Sequence, residues 1–255
     1  MNGLSEQPLA GGNVSSGLVR VGDTVRRPAG PWSASVDALL THLERAGFDG
    51  APKALGYDER GRQVLSFVAG PVDASPADLD RYRLREVGVL LRRFHDAAAT
   101  FVPPAGAIWN VAIPPDAEEL ICHHDAAPWN LVRGGTRLVL IDWDGAGPGS
   151  RMWDLAYAVN GFVPLSPEAA LNADILAGRV ASLVDGYGAD DDQRSRLVSL
   201  LPRRVWSMYD LLERGHRTGL QPWASLWDAG HGHTWLASAR FVEQRSDLLA
   251  RAILP

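Results

Sequence analysis

Apolar and polar positions change their spacing partway along the chain. Between residues 8 and 72 the apolar side chains come in short runs broken by glycine, proline and aspartate, a strand-and-turn pattern. "PLAGG" leads into the small-residue stretch "NVSSG", and "GLVRV" and "TVRRP" then flank the two-residue turn Gly22-Asp23, a hairpin signal. "PWSASVDALLTHLERAGF" breaks the strand pattern: Val36, Leu39, Leu40 and Leu43 fall on one helical face, with Ser33 or Ser35 as N-cap and Gly47 as stop. "APKALGYDERGRQVLSFVAGPV" returns to strands, predicting a second hairpin that turns at "DERGR" and closes at Gly70-Pro71. Beyond residue 75 the period becomes helical, with Leu84, Val87, Leu91 and Phe94 aligned in "DLDRYRLREVGVLLRRFHDAAATF". One further hairpin, "NLVRGGTRLVLID" turning at Gly134-Gly135, interrupts the helices, which then dominate from Asp154 onward. The pattern predicts an α+β chain of two lobes, a small antiparallel-sheet lobe with one helix over residues 1–72 and a larger, mainly helical lobe over 73–255.

Composition narrows the function classes. A chain of 255 residues with 46% hydrophobic content can bury a sizeable core. A formal net charge of -5 argues against a nucleic-acid partner, whose phosphates call for basic stripes. No run of 18 apolar residues is present, and "MNGLSEQPLAGG" has neither the basic start nor the apolar core of a signal peptide, so the expectation is a cytoplasmic protein with no membrane partner. Cys122 is the one cysteine, which excludes an internal disulfide and zinc sites built on paired thiolates. Lys53 is the one lysine, so arginine must do the work of phosphate-binding cations.

The chemistry concentrates in "ICHHDAAPWNLV", residues 121–132. Cys122, His123, His124 and Asp125 are consecutive, and side chains that alternate along an extended backbone cannot close on one tetrahedral ion. "HD" at His95-Asp96 and at His124-Asp125 also allows a His-Asp phosphohydrolase dyad; such dyads sit on helices, and Pro128 and the strand after Asn130 oppose one here. The remaining reading takes His123, Asp125 and Asn130 as H-x-D-x-x-x-x-N, followed by an apolar strand ending in "IDWD". Phosphoryl transfer needs a carboxylate to orient and deprotonate an attacking hydroxyl, and oxygen ligands for the magnesium on a nucleotide's phosphates. Asp125 suits the first role; Asn130 and Asp142, at the open end of one hairpin, suit the second.

With those residues in place, "HHDAAPWN" through "LIDWDGAGPGSRMWDLAYAV" resembles the catalytic core of the aminoglycoside phosphotransferase and choline kinase-like family, which has a protein-kinase-like fold. The resemblance covers residues 8 to about 160. It implies transfer of the γ-phosphate of ATP or GTP, with Mg2+, to a hydroxyl of a small molecule and not of a protein. It also implies that His123 holds the loop backbone, that Asp154 caps the following helix and ties down the loop, and that adenine meets the backbone of Ser66, Phe67 and Val68. Asp144 is either a second metal-side carboxylate or a solvated loop residue. Where the family carries a strand lysine, alignment puts Arg26, with Thr24 on its face and Arg27 on the opposite one. The helix glutamate that pairs with that lysine is missing; Val36 falls near its place and Asp37 is the nearest acid. "GGNVSSG" matches no phosphate-loop motif. Cys122 reads as a small packing residue, and His231 and His233 as surface-loop residues.

For the acceptor, Trp206, Tyr209, Asp210 and Glu213 share one helical face in "RRVWSMYDLLERGH", beside a core-facing stripe of Val205, Met208 and Leu212. Aromatics beside carboxylates suit an amino- or hydroxyl-rich molecule, although a plain solvated face has the same pattern. Besides the phosphohydrolase, a nucleotide-binding pseudokinase stands as an alternative, opposed by the intact Asp125, Asn130 and Asp142.

Overall fold

The computed structural model describes residues 5–9, 17–72, 76, 79–135 and 137–255. Strands β1 (Gln7–Pro8), β2 (Val19–Val21), β3 (Thr24–Arg27), β4 (Ala54–Tyr57) and β5 (Gln63–Ser66) form one antiparallel sheet in the order β1-β2-β3-β5-β4. Val21 pairs with Thr24 across the two-residue Gly22-Asp23 turn, where Gly22 supplies the positive φ that such a turn requires. The β4–β5 turn is held by Asp58, whose carboxylate accepts the amides of Arg60 and Arg62. Residues 10–16, which include most of the "GGNVSSG" stretch, lie outside the described residues.

Helix α1 (Ser33–Arg45) buries the predicted Val36, Leu39, Leu40 and Leu43. It starts without a side-chain cap from Ser33 or Ser35: the Ser33 hydroxyl accepts the amide of Gly30, and that of Ser35 accepts the amide of Ile108 from across the chain. Past β5 the chain crosses to the helical part through Gly70, whose Cβ, were there one, would sit 2.0 Å from the Arg133 carbonyl oxygen. Only glycine allows that approach.

The helical part begins with α2 (Arg81–Ala98), capped by Asp80, and continues through β6 (Leu120–Cys122), the hairpin β7 (Leu131–Gly134) and β8 (Arg137–Leu140), and β9 (Gly147–Gly149). Then come α3 (Arg151–Phe162), α4 (Ala173–Tyr187), α5 (Asp191–Thr218), α6 (Trp223–Asp228), α7 (His231–Gln244) and α8 (Ser246–Ile253). His231 and His233 therefore open a helix instead of sitting in a loop. Helices α2 and α4 cross at Gly88 and Gly186, each so near the other helix's backbone that a Cβ would approach a carbonyl oxygen to 2.1 Å. One continuous core joins Leu39 and Leu43 of α1, Phe94 of α2, Leu131 and Leu140 of the hairpin, and Leu155 and Phe162 of α3. Its burial fixes the hairpin relative to both parts of the chain.

Candidate active site

The site grows from the loop between β6 and β7. Strand β6 pairs antiparallel with β9, so the segment that leaves at Cys122 returns at Gly147 and is tied at both ends. Within it the amide of Ile141 donates to the carbonyl of Asn130 at 2.8 Å, closing the open end of the β7–β8 hairpin and bringing Asn130 and Asp142 to the same edge. The 3-10 turn Pro128–Asn130 then folds Asn130 back on the loop, where its Nδ2 donates to the backbone oxygen (2.9 Å) and to Oδ2 (2.8 Å) of Asp125. With both amide hydrogens turned to Asp125, the amide oxygen is the end that can face a cation.

Asp154 holds the loop in place. It is fully buried and accepts the amides of His123 (3.1 Å) and His124 (2.8 Å) and Nε2–H of His95 (3.1 Å). Burial alone would raise its pKa; the hydrogen bond from His95 holds the carboxyl far below the usual range. It is not the cap of α3, which is Ser150: that hydroxyl accepts the amide of Trp153 and donates to Asp116. Asp154 lies one turn further in, which is what lets it reach the loop. His123 also holds backbone, its Nε2 donating to the Ile141 carbonyl at 3.1 Å and its Nδ1 accepting the Asp125 amide at 3.3 Å. His124 has φ +65, a left-handed conformation costly for a side chain with a Cβ. Its ring donates to the carbonyls of Gly147 and Pro148, and its own carbonyl accepts from the buried Arg204 at 3.1 Å. These contacts over-determine the strained residue. Burial lowers the His124 pKa.

Asp125 emerges from this frame with both oxygens engaged, Oδ2 by Asn130 and Oδ1 by the Tyr157 hydroxyl at 2.6 Å. Burial raises its pKa, with Tyr157 and His123 opposing and Asp142 adding to the rise. On the metal side, Asp142 sits at φ +60, and Arg27 of β3 reaches its Oδ1 at 3.3 Å while also bonding Asp144. Two carboxylates that share one guanidinium are close enough to share one ion. Together with the Asn130 oxygen they are the candidates for an all-oxygen donor set of the kind that hard divalent cations take.

The strand turns Arg27, and not Arg26, to these carboxylates. Arg26 points the other way, bonding Thr24 and lying 3.7 Å from Asp58. Two adjacent arginines give no mark of register, so a one-residue shift reversed the expected faces. Asp37 bonds Gln63, the cross-strand partner of Arg27, and makes no direct pair with it. At the crossover the amides of Ser66 and Phe67 donate to the carbonyls of Lys53 and Asp23, so neither amide is open to adenine. The expected acceptor face is turned away from Asp125. At 100° per residue Trp206, Tyr209, Asp210 and Glu213 lie opposite Arg204, which faces the loop. Trp206 instead donates to Glu243 of α7, Tyr209 packs on Trp227 of α6, Asp210 is exposed, and Glu213 pairs with Arg217. The phosphohydrolase dyads do not form: the His124 ring turns to carbonyls, and His95 is buried between Asp154 and Tyr187. Cys122 is buried, as expected of a packing residue.

The sequence model of the phosphotransferase enzyme family matches residues 107–194, the segment that holds the loop, the hairpin and α3. The trifolitoxin immunity protein of Rhizobium leguminosarum bv. trifolii is 34% identical over 242 residues, covering 86% of this chain and 90% of that protein. The chain belongs to the phosphotransferase enzyme family. Its fold is that of solved small-molecule kinases. A microcompartment-associated aminopropanol kinase superposes with a TM-score of 0.65 at 17% identity, over 98% of this chain and 94% of that one. An amicoumacin kinase in complex with AMP-PNP, Ca2+ and Ami gives 0.63 at 12% identity, over 95% and 88%. In this phosphotransferase no helix among the described residues is long and apolar enough to cross a membrane.

Proposed function

We propose that this phosphotransferase moves the γ-phosphoryl group of ATP or GTP to a hydroxyl of a small amino- or hydroxyl-rich molecule, with Asp125 as proton acceptor. The observation that carries the reading is the convergence of Asp125, Asn130 and Asp142 at one end of one hairpin, in a chain whose family transfers phosphate. The Asn130 oxygen, Asp142 and Asp144 would hold Mg2+, which when bound neutralises charge on the nucleotide phosphates. Asp125 orients the acceptor hydroxyl and takes its proton, and the raised pKa of its buried carboxyl suits a base. Arg27 is the cation for the α and β phosphates in place of the family's strand lysine, a planar fork where the family has a point charge. Residues 1–72 serve the nucleotide and 73–255 the acceptor.

The 34% relative is named for immunity to a toxin, and this favours an acceptor whose phosphorylation protects the cell. The acceptor wall then includes Trp129, which is 46% exposed four residues beyond Asp125. Radiolabelled ATP consumption across amino alcohols, amino sugars, choline-like amines, aminoglycosides and antibacterial toxins tests the reading, with Asp125→Asn as control. Label should appear in one acceptor class, and Asp125→Asn should cut kcat by roughly two to four orders of magnitude with nucleotide affinity little changed. Undiminished turnover in Asp125→Asn, or equal loss of nucleotide binding, would overturn the assignment of Asp125.

A further inference from the structure

Both oxygens of Asp125 are held, but by groups of different origin. Asn130 belongs to the same loop; Tyr157 comes from α3, one turn beyond Asp154. Helix α3 thus grips the loop twice, taking the backbone of His123 and His124 at Asp154 and the side chain of Asp125 at Tyr157. The Tyr157 ring has no freedom to drift. The Arg204 guanidinium lies 4.4 Å from its centroid, and Trp235 of α7 stacks on it at 6.1 Å and 17°. Arg204 is only 2% exposed and donates to the His124 carbonyl, so ring and loop share one clamp. Burial and the neighbouring charge of Asp125 keep the phenol protonated, which makes it a permanent donor.

We infer that Tyr157 is a positioning residue for phosphoryl transfer: by fixing Oδ1 of Asp125 it sets the direction in which the carboxylate can receive an acceptor hydroxyl. The inference rests on the proposed role of Asp125. Each carboxylate oxygen has two acceptor sites, and with Tyr157 on one oxygen and Asn130 on the other a single site remains on each. In the transfer step the acceptor oxygen bonds to the γ-phosphorus, its proton passes to Asp125, and the bond from the γ-phosphorus to the bridging oxygen breaks with its electron pair leaving on the nucleoside diphosphate. Tyr157 keeps its own proton throughout. Without the phenol the carboxylate is held at Oδ2 by Asn130 alone, and the productive orientation of Oδ1 becomes one among several.

The test follows phosphate release from Mg·ATP with water as acceptor, in the steady state with radiolabelled nucleotide. Wild type is compared with Tyr157→Phe, Asp125→Asn and the double variant. Tyr157→Phe keeps the stacked ring and should lower the rate by about 10- to 100-fold, with the KM for Mg·ATP and the melting temperature nearly unchanged. The double variant should be no slower than Asp125→Asn, because Tyr157 acts through Asp125. Proton NMR should show a downfield hydroxyl resonance in the wild type that is absent from both single variants. A full rate in Tyr157→Phe beside a crippled Asp125→Asn, additive losses in the double variant, a rise in KM without a fall in kcat, or no downfield resonance in the wild type overturns the role of Tyr157. A full rate in Asp125→Asn overturns the assignment beneath it.

Discussion

Replacing Asp154 by alanine should unfasten the loop. Its carboxylate accepts three donors, the amides of His123 and His124 and Nε2–H of His95, in a place with no access to solvent. Each buried donor left without a partner costs on the order of 1–3 kcal/mol. Water entering the vacated space would satisfy part of this, so the expected loss is about 3–5 kcal/mol, the size seen when one partner of a buried charged network is removed. Against a typical folding stability of about 5–15 kcal/mol, that is a large fraction. Urea denaturation followed by tryptophan fluorescence should show a lower midpoint with an unchanged slope, and the melting temperature should fall by roughly 10 °C. Asp154→Asn should fall between, since its amide keeps one oxygen but turns an NH2 group toward a donor. The acid limb supplies a second measure. The folded carboxyl titrates below its unfolded value, so its contribution is complete above about pH 3.9 and is lost as the pH falls through the folded value. Asp154→Ala should flatten that part of the stability–pH curve. A loss under about 1 kcal/mol, or an unchanged acid limb, would refute the claim that this one side chain holds the loop.

Asp142→Ala should abolish metal-dependent turnover, which a metal titration of activity would show. Arg27→Ala should weaken nucleotide binding at least about 10-fold by calorimetry, whereas Arg26→Ala should change it little, since of the two arginines it is Arg27 that reaches Asp142 and Asp144. His124 is buried with a lowered pKa, so its contribution is complete above the unfolded value of about 6.5 and is lost as the pH falls through the folded value. His124→Gly should remove that dependence. At pH 8 it should be nearly neutral, because relief of the left-handed backbone, about 1 kcal/mol, offsets lost ring hydrogen bonds of similar size.

The elements that place the site were legible because each carries a local signal. Gly22-Asp23 marks the β2–β3 hairpin, the four apolar residues from Val36 to Leu43 mark α1, and the spacing from His123 to Asn130 marks the loop. What escaped depends on contacts distant in sequence. Arg26 and Arg27 are chemically identical, and only the pairing of Arg27 with Gln63 on β5 decides which faces the cleft. Tyr157 and Arg204 read as ordinary helix residues until α3 and α5 are brought against the loop. The one available hint was that Tyr157 follows Asp154 by three residues, the spacing of a shared helical face. Trp206 and Glu213 misled for the converse reason, since a helix with polar-aromatic character on one side does not say which neighbour that side will meet.

The bond from Arg27 to Asp142 and Asp144 spans the two parts of the chain, from the sheet to the hairpin's end. A divalent ion arriving there on its own meets a rival that cannot diffuse away, present at an effective concentration set by the fold. A metal–nucleotide complex meets a weaker rival, because it brings phosphate oxygens to which a guanidinium can transfer its hydrogen bonds. On the proposed reading the cleft is therefore biased against loose metal and toward metal and nucleotide entering together, and one arginine both competes with the ion and becomes a ligand of the nucleotide.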